Sequence, residues 1–433
     1  MSAGVRRTFA SLSIPNYRRY FSGQVVSITG NWMQTVAEMW LMVQLTGNGV
    51  SVGLTAALQF LPMMLFAPWG GLLADRVSKR RLLIVTQTLM AIPALTLWAL
   101  TMHGSVTVWM VFALVFVRGC VNAVDNPARQ SFVIEMVGSD RVVNAVALNS
   151  VIVHTARILG PAAAGVVIAL IGVSTCFLVN ALSFVAMIVA LRAMDSAQLH
   201  HSVTPATRGP GQLRQGLAYV RRTPELLIPL AMMAVVGTLS YNFQILLPLL
   251  ASFTWHGSAS TYTALAVAMG VGSVGGALAA GARGRVGPRL LVGAAGLFGM
   301  AELLVAIAPD LSLQVLALVP LGAVSVTFAA GVNSALQLAV EPAMRGRVMA
   351  LYSMVFLGST PIGAPLVGWI AEVSGPRAGL VLGGVAAVLA SVGGAIAFSR
   401  AGRPVVASRR ECERPRPRTA AFREAVRVSV GRR

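Results

Sequence analysis

The sequence predicts an all-α membrane protein, a bundle of twelve transmembrane helices, and three observations predict it. The chain has 433 residues of which 56% are hydrophobic and only 11% charged, whereas an ordinary soluble domain is about a quarter charged. Twelve apolar runs follow one another along it, separated by Gly, Pro or charge. Lys and Arg fall almost entirely in alternate connections between those runs. A hydrocarbon core about 30 Å thick takes about 20 apolar residues per helical crossing. A chain of this length therefore accommodates twelve crossings and no large soluble domain, so its chemistry must sit within the bundle. Spanning segments must be helices or strands of a closed barrel, because lipid satisfies no backbone polar group, and these runs are too long and too evenly apolar for barrel strands.

The runs are taken in order. Met1 to Asn16 is polar and lacks an apolar core followed by a small-residue cleavage site, so no removable signal peptide is expected there. The first span, 20–44, is then its own insertion signal. Span 2 covers 51–74 and is followed by Arg76, Lys79, Arg80 and Arg81; span 3 covers 82–101 and span 4 covers 107–126. Arg129 and Arg141 precede span 5 at 143–170, and span 6 lies at 172–192. The longest internal connection, 193–225, carries Ser, Thr, Pro and Gly around His200 and His201 and then a basic stretch up to Arg222. Spans 7 to 12 follow at 226–251, 260–281, 289–308, 312–334, 346–372 and 377–398. The expected organisation is an N-terminal six-helix half (1–192), a cytoplasmic central loop (193–225), a C-terminal six-helix half (226–398) and a basic tail (399–433). The tail is rich in Arg and Pro and is expected to be disordered, in solvent or against anionic headgroups of the lipid bilayer.

Orientation follows from the Lys and Arg census, because short basic loops resist translocation. One side holds Arg6, Arg7, Arg18, Arg19, the loops around Arg76–Arg81, Arg129–Arg141, Arg192–Arg222, Arg283–Arg289 and Arg345–Arg347, and the tail; the other holds only Arg377. Both termini are thus expected in the cytoplasm, and the protein in the inner or plasma membrane. The formal charge of +20 lies in these loops and the tail, not on a folded soluble face of the kind that reads nucleic acid, so no nucleic-acid partner is expected. Cys120, Cys176 and Cys412 have neither disulfide nor metal-ligand spacing. No ATP-binding loop, metal cluster or nucleophile with a base is present in the sequence; neither an enzyme nor a cofactor nor a metal is expected.

An internal repeat at an offset of about 205 residues supports the split into halves: Gly70-Gly71-Leu72-Leu73-Ala74-Asp75 matches Gly275-Gly276-Ala277-Leu278-Ala279-Ala280, and Arg141-Val142 is echoed by Arg347-Val348. Two repeated halves place a binding site at their interface near the bilayer midplane.

Gly71-Leu72-Leu73-Ala74-Asp75-Arg76-Val77-Ser78-Lys79-Arg80-Arg81 resembles the signature loop of the major facilitator superfamily, Gly-x-Leu-Ala-Asp-Arg-x-Gly-Arg-Arg, with Ser78 in the place of Gly. Asn126-Pro127-Ala128-Arg129-Gln130 after span 4, Ala156-Arg157-Ile158-Leu159-Gly160-Pro161 in span 5 and Arg345-Gly346-Arg347-Val348-Met349 are similar to stretches of the enterobactin-exporter type of efflux protein. The resemblance covers nearly the whole chain. It implies a secondary transporter exporting an amphipathic small-molecule substrate, such as a drug or siderophore-like metabolite, in exchange for protons; it is expected to act as a monomer. Gly160-Pro161 with Gly165 resembles the Gly-Pro motif of proton-driven drug antiporters, though Ala156 and Ala164 replace Gly. The resemblance also gives Asp75, Arg76 and Arg80 a gating role, with Asp75 meeting cations or the N-terminus of span 11 in the outward-open state. Proton-coupled uptake, and a non-transporting sensor with the same fold, remain the alternatives.

Ionisable groups inside a membrane are functional candidates by default. In span 1, Gln24, Ser27, Asn31, Gln34 and Glu38 recur at steps of 3, 4, 3 and 4 and share one helical face, expected to line a central cavity; for Gln24 and Ser27 hydrogen bonding between packed helices is the competing reading. Burial disfavours the charged form of a carboxylate, which makes Glu38 the proton-coupling candidate, with Asp125 next. Arg118, Asn122 and Asp125 stand at i, i+4 and i+7 in span 4, as do Ser150, His154 and Arg157 in span 5. Arg118 resembles the span-4 Arg of proton-coupled members; the plainer reading is a lock between spans 4 and 5 through Asp125, which is also the simplest partner for Arg157. His154 reads more simply as a helix-contact residue. Glu302 in span 9 has no obvious polar neighbour, and the sequence gives no account of it. The 19 Met, with Phe60, Trp32, Trp40, Tyr241 and Phe243, suit either core packing or an adaptable apolar cavity.

Overall fold

The computed structural model describes residues 10–138, 141–200, 212–283, 287–341 and 344–401. The loop at 201–210 and the tail beyond 401, about which the sequence makes predictions, lie outside the described residues. Among the described residues the structure is helical: α1 (Pro15–Thr46), α2 (Gly49–Arg76), α3 (Lys79–Met102), α4 (Val108–Val137), α5 (Val142–Leu170), α6 (Val173–Arg192), α7 (Gln212–Arg222), α8 (Pro224–Leu239), α9 (Phe243–Leu249), α10 (Ala259–Arg283), α11 (Pro288–Ile307), α12 (Leu311–Ala339), α13 (Arg345–Gly358), α14 (Thr360–Ser374) and α15 (Pro376–Ala401). Among these residues eleven segments are long and apolar enough to cross a membrane, with α8 and α9 counted as one and α13 and α14 as another. The remaining long helix, α1, has 32 residues and so reaches about 48 Å. Its polar stripe, from Gln24 to Glu38, is what dilutes its apolar character.

The helix ends follow local chemistry. Pro15, Pro224 and Pro288 open α1, α8 and α11, where a missing N–H costs nothing. Asn48 caps α2 by accepting from Ser51 N at 2.9 Å, and Asp310 caps α12 by accepting from Leu313 N at 2.9 Å. Gly47, at φ 57°, turns the chain out of α1 in the left-handed conformation a Cβ would disfavour. Three expectations need adjustment. Asn126–Gln130, expected after span 4, lies inside α4, which runs on to Val137; Pro127 is carried within the helix. The seventh span is broken at Ser240–Asn242 and ends in a π turn at Leu250–Thr254. The basic stretch before it folds as the separate helix α7.

Packing falls into two sequential groups. In the first, α1 packs on α5 and α6, α3 on α4 and α6, and α2 on α4; in the second, α10 packs on α12, α11 on α12 and α15, and α8 on α15. Each of the two repeated glycine pairs puts one member at a helix contact, in different registers: Gly70, the first of its pair, lies against Ala123 O of α4, and Gly276, the second of its pair, against Ala323 O of α12. Small residues let both pairs approach backbone to backbone, as helices in lipid favour. The groups meet chiefly through α2 on α14 and α5 on α10.

Candidate functional site

The polar stripe of α1 faces the interior of the first group and not a central cavity: Gln24, Ser27, Gln34 and Glu38 are all buried, and Glu38 is wholly inaccessible. The 3,4 spacing fixes a common face but not the helix opposite it, and that neighbour is the polar side of α3, α4 and α6. Arg118 Nη2 donates to Glu38 Oε2 at 2.6 Å, and Gln34 Nε2 donates to Glu38 Oε1 at 2.7 Å. Asn180 in α6 donates to Gln34 and accepts from Ser183 at 2.9 Å. Arg118 therefore has a different partner from the one expected: its carboxylate is Glu38, not Asp125.

Asp125 is also buried, and it forms a second centre. It accepts from Thr86 Oγ1 at 2.6 Å, from Gln87 Nε2 at 2.9 Å and from Arg129 one turn along α4. Arg129 donates in turn to Gln24, and Ser27 Oγ donates to Gln87 at 3.4 Å. This network joins α1, α3 and α4 with every carboxylate bond directed into the first group. The i, i+4 step from Asp125 to Arg129 was the available signal; Thr86, Gln87 and Asn180 carried none beyond being polar in an apolar run. Asn31 and Asn122 are half-buried and have no side-chain hydrogen bond.

Where the two groups meet, Arg157 of α5 lies over the Trp32 ring, with Cζ 5.2 Å from its centroid, and is half-buried with Nε unpartnered. Its expected partner Asp125 is engaged elsewhere. Its backbone carbonyl passes Gly270 of α10, in the second group. Tyr241 lies at the break after α8. The Tyr241 hydroxyl donates to Ser325 O at 2.5 Å, and its ring packs on Phe298 and Phe356 with centroids 5.1 and 5.7 Å away. An arginine on an indole beside a cluster of aromatic rings can hold a flat or amphipathic molecule by stacking and by charge.

The expected gate residues separate. Gly160 seats α5 on α1 at Trp32, next to Pro161 inside α5; this is helix contact within one group. Arg80 donates to Leu191 O at 2.7 Å, to Arg192 O at 2.8 Å and to Ser196, capping the C-terminus of α6 where a cation is favoured. It braces the first group. Lys79 pairs with Glu135 at 2.5 Å beside it. Arg76 is exposed at the end of α2. The side chains of Asp75 and His154 lie outside the described residues.

At the opposite end the groups are closed on each other. Gly49 and Gly53 of α2 lie against Gly368 O and Ala364 O of α14. Glu372 accepts from Asn48 Nδ2 at 2.9 Å and from Val50 N at 3.1 Å, placing a carboxylate on the positive end of α2. Trp40 and Tyr262 stack across the groups at 6.3 Å. At the basic end, by contrast, Trp69, Leu72, Leu73 and Arg76 of α2 are exposed, and so are Arg345 and Gly346 at the start of α13. The Glu372 latch had no signal in the sequence.

Two sequential groups of membrane helices, joined through the close α2–α14 and α5–α10 contacts, have the architecture of the major facilitator fold. A solved structure of the nucleoside transporter NupG (D323A mutant) superposes with a TM-score of 0.70 at 13% identity, covering 89% of this chain and 100% of that one. An inward-facing, occupied bacterial homologue of the human lysosomal transporter Spinster gives a TM-score of 0.68 at 14% identity, over 88% and 96% of the two chains. The chain belongs to the major facilitator family described as transmembrane secretion effector, which it matches over residues 6–416. It is 26% identical over 266 residues to the staphyloferrin A transporter of Staphylococcus aureus, covering 60% of this chain and 64% of that one, just under two thirds of the relative. It is 23% identical over 385 residues to macrolide efflux protein A of Streptococcus pyogenes, over 84% and 91% of the chains. It is 24% identical over 383 residues to the enterobactin exporter EntS of Citrobacter koseri, over 87% and 90%.

Proposed function

We propose that this protein is a proton-driven exporter of amphipathic small molecules, working by alternating access as a monomer in the cell membrane with both termini and the basic loops in the cytoplasm. The observation that carries the reading is the closure of one end: α2 and α14 seal the end bearing Asn48 and Glu372, opposite the basic loops. With those loops in the cytoplasm, this is the stage that loads from inside. Export is supported by the relatives that match most of the chain, a macrolide efflux protein and an enterobactin exporter.

The first group is the N-terminal half and the second the C-terminal half, and they rock about the interface where Arg157, Trp32 and Tyr241 meet. Substrate binds there. The coupling pair is Glu38 with Arg118: protonation of Glu38 removes the countercharge of a buried guanidinium, so one proton changes which arrangement of α1 and α4 is favoured. Asp75 and Arg76, at the cytoplasmic end of α2, contribute the gate in the opposite stage.

The test is uptake into everted membrane vesicles energised to be acid inside, across a panel of unrelated amphipathic drugs and siderophores. Vesicles with the protein should accumulate at least one class, and a protonophore should abolish the difference from vesicles without it. Accumulation of no compound, or accumulation indifferent to the protonophore, overturns the proposal.

A further inference from the structure

Glu302 is a buried ionisable group that the mechanism above does not use. It lies in α11, is wholly inaccessible, and neither carboxyl oxygen has a hydrogen-bond partner. The carboxyl is pressed against Gly383 of α15, where a Cβ would come within 2.8 Å of Glu302 Cδ. The elements around it offer no cation. In α15 the neighbour is Gly383, and the basic residues Arg377 and Arg400 sit at the two ends of that helix, Arg377 donating to Ala308 O at 2.8 Å. The α12 helix contains no charged residue, and Arg289 is at the far start of α11. From the break after α8 come Ser240 and Tyr241, whose hydroxyls donate to Gly383 O and Ser325 O and not to the carboxyl.

Ser240 decides the protonation state. Its hydroxyl proton goes to Gly383 O at 2.7 Å, so toward Glu302 it presents lone pairs only. An ionised carboxylate would face an acceptor with no donor and no countercharge in a water-excluded site, the costliest state for a buried group. A protonated carboxyl can instead donate its O–H to Ser240 Oγ. A Leu or Met would fill the same space without that constraint, so packing does not account for an acid here. The site also adjoins the point where the seventh span is interrupted, at Ser240–Asn242, and interrupted membrane helices are where transporters place ion sites.

We propose that Glu302 is a second proton-binding site, in the C-terminal half and apart from the Glu38–Arg118 pair, protonated in this conformation and releasing its proton when the halves move. On release the carboxyl O–H bond breaks, the proton passes to water admitted to the site, and a carboxylate remains. Its part in coupling rests on the proposed proton-driven export; its protonation does not.

The experiment uses the full-length protein in lipid nanodiscs. Infrared spectra are compared for wild type, E38Q and E302Q, in H2O and D2O, at neutral and strongly alkaline pH. Wild type and E38Q should both show at neutral pH a protonated-carboxyl C=O band that shifts in D2O, that E302Q lacks, and that alkaline buffer bleaches. No band distinguishing E302Q from wild type means that Glu302 is ionised, and overturns the proposal. Bleaching by Na+ or K+ at constant pH assigns the site to a metal cation and overturns it equally. E302L, which needs no polar partner, undergoes the same comparison and controls for misfolding of E302Q. In proteoliposomes E302Q should lose at least tenfold in gradient-driven accumulation while keeping downhill movement; wild-type accumulation removes Glu302 from coupling. If wild type itself moves no substrate, the export reading fails and the infrared comparison still decides the protonation of Glu302.

Discussion

Replacing Glu38 by Gln keeps the volume of the side chain and removes its charge. In the native protein Arg118 donates to Glu38 at 2.6 Å, Glu38 is wholly inaccessible, the Arg118 side chain is 7% exposed, and Arg118 Nε has no partner. Removing one member of a buried pair costs about 3–5 kcal/mol, because the other charge stays buried and uncompensated. The Gln carbonyl can still accept one bond from Arg118, which returns about 1 kcal/mol. A net loss of about 2–4 kcal/mol follows from these two terms. Arg118→Gln should cost a similar amount, whereas the double variant, with neither charge, should be destabilised by much less than the sum of the two. The assay is a double-mutant cycle on denaturant unfolding in mixed micelles, with proteoliposome accumulation under an imposed pH difference measured on the same preparations. Additive losses in the cycle would show that Glu38 and Arg118 do not stabilise each other, and would refute the reasoning. If proteoliposomes of E38Q still concentrate substrate against its gradient, the coupling proton uses another group.

Glu372→Ala removes two exposed hydrogen bonds that hold the sealed end, worth about 1 kcal/mol together, or roughly a fivefold shift toward the state open at that end; spin labels on α2 and α14 should report longer distances, and an unchanged distribution would count against a latch. Asp75→Asn should leave the protein inserted yet slow transport, since the lost charge weakens a contact made in one conformation only; wild-type rates would reduce the loop to a topology signal. Tags at the N-terminus, within 205–210 and after Arg400 should all be cytoplasmic, and labelling of a Ser202→Cys variant from outside intact cells would contradict that.

The helices were legible because in lipid the backbone must satisfy itself, so an apolar run ends close to where the helix does: span 3, read as 82–101, is Lys79–Met102. Span 4 was read short because α4 continues out of the apolar zone through Asn126, Arg129 and Glu135, where composition no longer marks a helix. The stripe on α1 was legible as a face from its period, but a period does not say what it meets. Glu38 and Arg118 are 80 residues apart and on helices whose relative rotation is set by packing. Asp125 and Arg129 stand one turn apart, but the pair escapes the sequence reading because the apolar run ends at 126 and Arg129 falls beyond it. Glu302 drew no account because its peculiarity is the absence of partners, which only surrounding atoms can reveal.

The glycine contact between α2 and α14 bears on how cheaply the protein can change state. Gly49, Gly53 and Gly368 present backbone alone to the opposing helix, so at these three positions closing the seal freezes no rotamers and opening it releases none. Long side chains there would each lose up to about 2 kcal/mol of conformational freedom on every closure. Without that entropy the sealed and unsealed forms can lie close in free energy. A ligand that prefers one of them by only a little can then redistribute the population. Export of the proposed kind is served by such a near-balanced hinge, in which the decision to turn over rests with small differences in binding and not with a rigid threshold.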